Sequence, residues 1–79
     1  MKNSLYQMLF HQAIADKKKA LLSLELLSDN AVGIGDHSTE DFWSNANEAL
    51  ELLVSADDRI ATLTKYFPEE DVSAQSTLF

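Results

Sequence analysis

Eight apolar residues, Phe42, Ala46, Ala49, Leu53, Ala56, Ile60, Leu63 and Phe67, follow one another at alternating intervals of four and three without a break. That repeat is the heptad seam of an α-helix packed against another helix, and it excludes a strand, whose side chains alternate with period two. Tyr6, Phe10, Ala13, Lys17, Ala20, Leu24 and Leu27 form a second seam with the same intervals and a single lysine. Between the two lies Ser28-Asp-Asn-Ala-Val-Gly-Ile-Gly-Asp-His-Ser38, which holds both glycines of the chain and interrupts the pattern. The expected fold is therefore all-α, an antiparallel two-helix hairpin over residues 1–68, with helices at about 3–28 and 39–67 and a turn at 29–38. Residues 69–79, after Pro68, read as a flexible acidic and polar tail with little to bury.

Both helices carry start signals. Ser38 with Asp41 three residues later has capping-box spacing, and Asp36, Glu40 and Asp41 put negative charge beside the positive end of the helix dipole. Ser4 with Gln7 repeats that spacing at the first helix. Each seam is wider than one partner covers. Leu5, Leu9, Ile14, Leu21, Leu22 and Leu26 flank the first, and Trp43, Leu50, Val54 and Ala61 flank the second. A 79-residue chain without cysteine has neither the size for a large core nor a disulfide to replace one. A homo-oligomer, a dimeric or higher helical bundle, is the expected remedy.

Charge is unevenly spread. The chain has a formal net charge of −7, with +3 on residues 1–19 and −10 on the remainder. Folding back around the turn should bring Lys17, Lys18 and Lys19 near Glu48 and Glu51, and His11 near Asp57, which absorbs much of the asymmetry. The acidic surplus argues against direct nucleic-acid binding, which needs clustered Lys and Arg. No run approaches the ~18 apolar residues of a membrane span. The first twenty residues are too interrupted by polar groups for a secretory signal. A cytoplasmic location follows as the expectation.

Two places merit a chemical reading. Gly33, Gly35, His37, Ser38 and Thr39 lead into a helix N-terminus, where backbone N–H groups and the dipole favour an anion. Asp36, Glu40 and Asp41 oppose it there, and the motif matches neither a P-loop nor a dinucleotide fingerprint, so a capped structural turn is the plainer account. Lys17, the polar member of the first seam, either lays its methylenes along the seam and reaches Glu48 or Glu51, or lines a site for a phosphorylated ligand. Tyr6, Trp43 and Tyr66 are the aromatic residues available to stack on such a ligand, Trp43 being better explained as a wedge beneath the turn. A metal site is not expected, because His37 with Asp36, Glu40 and Asp41 supplies a single nitrogen and acids already used for capping. Nor is a catalytic site, since no nucleophile has a base beside it; no cofactor is expected.

The segment Val32-Gly-Ile-Gly-Asp-His-Ser-Thr-Glu-Asp-Phe-Trp43, continued by Asn45-Ala-Asn-Glu-Ala-Leu50, Ala56-Asp-Asp-Arg-Ile60 and Lys65-Tyr-Phe67, resembles small uncharacterised helical proteins of tailed bacteriophages. The resemblance spans roughly residues 17–68. It implies a phage-encoded protein working in the host cytoplasm on a host macromolecule or a defence signal, and it assigns no residue a role. The expected function is that of a non-enzymatic, acidic interaction protein with a basic host protein as partner. Its rival is an oligomeric sponge that sequesters a phosphorylated or nucleotide signal, an anti-defence role.

Overall fold

The computed structural model describes residues 2–30 and 39–68, with Asn30 and Thr39 described by backbone alone. Two helices make up the fold, α1 (Asn3–Asn30) and α2 (Thr39–Tyr66), packed side by side as an antiparallel hairpin. At ~1.5 Å per residue each is about 42 Å long. The first helical bond runs from the Tyr6 N–H to the Lys2 carbonyl, which makes Lys2 the N-cap. Ser4 thus lies inside the first turn, and the expected Ser4–Gln7 capping box is replaced by a long side-chain bond from Gln7 Nε2 to Asn3 Oδ1 at 3.4 Å. Ser38, the expected cap of α2, and the rest of the turn lie outside the described residues, as does the tail. Glu40 and Asp41 occupy the first turn of α2 and Lys65 its last, each at the end where the dipole favours its charge.

Both seams face inward. Ala13 and Ala20 of α1 and Ala49 and Ala56 of α2 are buried, and the intervening seam residues are half-buried. These alanines let the helix backbones approach closely along the middle of the hairpin. At the open end Tyr6, the one large side chain that is fully buried, packs on Leu63, and Phe10 and Phe67 close around the pair. The Tyr6 and Phe10 rings stack at 5.7 Å and 13°. No buried side-chain polar atom among the described residues lacks a partner.

The polar register differs from the expectation. Lys17 Nζ meets Asp57 Oδ1 at 3.0 Å, not Glu48 or Glu51, and His11 sits edge-on to Phe10. Two effects produce the difference. α1 runs two residues further than expected, to Asn30, which shifts the fold point along the chain. Helical side chains also lean toward their own N-terminus, so a long lysine on α1 reaches a later residue of α2 than its Cα faces. Arg59 leans the same way along α2, its Nε donating to the Ser55 carbonyl at 3.3 Å.

Candidate interaction surface

Asp16 and Arg59 stand beside the seam on one flank. Arg59 Nη2 donates to Asp16 Oδ2 at 2.8 Å, and Gln12 Nε2 donates to Asp16 Oδ1 at 3.1 Å. The guanidinium bond is the main cause holding the Asp16 carboxyl below the ordinary aspartate value; burial opposes it as the next largest effect, and the Gln12 bond and the Arg59 and Lys19 charges lower it further by smaller amounts. This pair divides the flank into two open grooves. One, of about 460 Å³, is lined by Lys19, Ser23, Leu26, Leu27, Asn45, Glu48, Ala49 and Leu52. The other, of about 280 Å³, is lined by Leu9, Gln12, Asp58, Arg59, Thr62 and Leu63.

Lys17 is half-buried and held by Asp57, as the structural account of a seam lysine requires, though with a different acid. It lies 13 residues from the end of α1, about 20 Å along the axis. Gly33, Gly35, His37 and Ser38, and the side chain of Thr39, fall outside the described residues. Tyr6 is buried against Leu63 and is closed to a ligand. Trp43 is not a wedge: it is 60% exposed and touches the Phe42 ring edge-on. Tyr66 is exposed, with Lys65 Nζ 5.2 Å from its ring centroid. Among the described residues no group of three or more His, Cys, Asp or Glu could hold a metal. Nor is any described helix long and apolar enough to cross a membrane.

The main feature outside the seam is the contrast between the outward stripes of the two helices. On α2 the stripe is Asp41, Ser44, Glu48, Glu51, Ser55, Asp58, Thr62 and Lys65, all exposed and all polar. The corresponding stripe of α1 carries Leu5, Met8, Leu22 and Leu26, all exposed. The acids of the α2 stripe are Asp41, Glu48, Glu51 and Asp58; the adjacent Asp57 is paired with Lys17. The α1 stripe has the same four-three spacing as the seams, a signal present in the sequence beside the equally spaced buried seam. The Asp16–Arg59 pair was also missed; each stands next to a seam member on the same side, Lys17 and Ile60. No protein family, curated protein or solved structure matches the chain.

Proposed function

We propose that the chain is a non-enzymatic interaction protein that assembles with copies of itself and presents the acidic outer face of α2 to a basic macromolecule. The observation carrying this reading is the exposed row of Glu48, Glu51 and Asp58 on a helix that sets six acids against Arg59 and Lys65. A like-signed row of this kind steers a basic partner and speeds encounter with it. The exposed apolar flanks favour self-assembly, because a hairpin of this size buries too little alone. The resemblance of the turn segment to phage proteins adds the setting, a phage-encoded protein in the host cytoplasm. The nucleotide-sponge reading draws no support from the helices, since Lys17 is engaged by Asp57.

The test is capture from bacterial lysate on immobilised protein at low and high salt, beside the variant Glu48→Lys/Glu51→Lys/Asp58→Lys. The expected result is a basic protein retained by the original chain at low salt, released at high salt and absent from the variant. Retention of no basic protein at low salt, or equal retention by the variant, overturns the reading.

A further inference from the structure

The outward stripe of α1 repeats the logic of the buried seam. Leu5, Met8, Ala15, Leu22 and Leu26, with Gln12 and Lys19 between them, recur at intervals of three and four from Leu5 to Leu26, and every one is exposed. Met8 and Leu22 are 62% and 55% exposed. We propose that this stripe is a second heptad seam, and that a second copy of the chain docks on it antiparallel, about a two-fold axis passing beside Ala15. The proposal rests on the self-assembly above but not on the basic partner.

Three observations select this occupant. First, the stripe reads nearly the same from both ends. Reversed about Ala15, Met8 falls opposite Leu22 at seven residues, while Leu5 with Leu26 and Gln12 with Lys19 match to within one residue, about 1.5 Å. A two-fold interface is isologous and needs this self-complementarity, in which residue i meets j and j meets i. The small Ala15 side chain sits where the axis brings the two backbones nearest. Second, the charges agree. α1 balances Asp16, Glu25 and Asp29 with Lys17, Lys18 and Lys19, so two copies of it meet without net repulsion, and the stripe's one charge, Lys19, faces the amide of the partner copy's Gln12. The acidic stripe of α2 would repel its own copy. Third, the hairpin fully buries one large side chain, Tyr6, while the stripe offers four large apolar side chains over ~32 Å of helix. Pairing through α1 places the two α1 helices at the centre of a four-helix assembly, with Glu48 and Thr62 of α2 at the edge of the contact, where they border the same grooves as Lys19, Leu26 and Gln12.

The absence of cysteine makes the test direct. Under mild oxidation Ala15→Cys is expected to give a disulfide-linked dimer, and Glu51→Cys on the outer face of α2 is not. Met8→Cys and Leu22→Cys are each expected to stay monomeric on a non-reducing gel, and their equimolar mixture to cross-link. Sedimentation equilibrium should show a dimer or a multiple of it for the original chain at micromolar concentration, and a loss of mass for Met8→Lys/Leu22→Lys with helicity retained by circular dichroism. Self-linking of Met8→Cys alone marks a parallel pair and overturns the antiparallel arrangement. An oligomer in which Ala15→Cys stays unlinked, or Glu51→Cys links as well, overturns the choice of face while self-assembly stands. A folded monomer overturns both.

Discussion

α1 and α2 are the same length and present nearly matching seams to each other, yet their other sides are opposites. Six of the ten exposed large apolar side chains among the described residues belong to α1, and its charges cancel. α2 is acidic and conventionally amphipathic, with Trp43, Leu50, Val54 and Tyr66 as its apolar excess. α1 keeps one exposed polar row, Ser4, His11, Lys18 and Glu25, beside its exposed apolar stripe. The hairpin is thus asymmetric: α1 exposes more large apolar side chains than α2, whose Asp41–Lys65 stripe is polar throughout.

Four substitutions test this contrast, the largest effect first. Leu63→Asp places a carboxylate without a counter-charge against Tyr6 and is expected to cost about 3–5 kcal/mol, seen as loss of the far-ultraviolet helical signal. Thr62→Asp, one residue away on the exposed stripe of α2, should stay within ~0.5 kcal/mol. Similar costs for both would dissolve the distinction between seam and stripe. Ala56→Leu forces apart helices that meet through alanine and should cost ~1–3 kcal/mol in urea denaturation, while Ala61→Leu, on the exposed flank, leaves the midpoint nearly unchanged.

The ion pairs carry less. Asp57→Asn removes a pair whose two side chains are about half exposed, and ~0.2–1 kcal/mol is the expected loss. Lys17→Leu should raise the melting temperature, followed by circular dichroism, by completing the apolar seam at the cost of only an exposed ion pair. The smallest effect is the pH dependence of Asp16→Asn. Because the Arg59 bond lowers the folded-state pKa of Asp16 below its ordinary 3.8, its contribution is fully present above that value and is lost as pH falls through the folded one. The stability difference between the original chain and Asp16→Asn should therefore hold from neutral pH to about 5 and close under acid titration below 3.8. A difference that persists in strong acid would mean the carboxylate charge is not what Arg59 holds.

The amino-acid sequence by itself determined that there are two helices, where they lie to within two or three residues, and which residues form the buried seam. These follow from period and from breakers, which act over a few residues and are written in order along the chain. Lys17 was legible as the odd member of that seam for the same reason, though its acid was not. Only the tertiary structure decided that Lys17 meets Asp57, that Arg59 meets Asp16, and that Tyr6 is a core residue while Trp43 is exposed. Each depends on the offset between two helices and the lean of their side chains, and a seam that repeats every seven residues constrains that offset weakly. The difference between the two outward stripes needed both levels. Its spacing is present in the sequence, but a helix with two apolar rows at the same spacing does not say which of them the other helix covers until the two are packed.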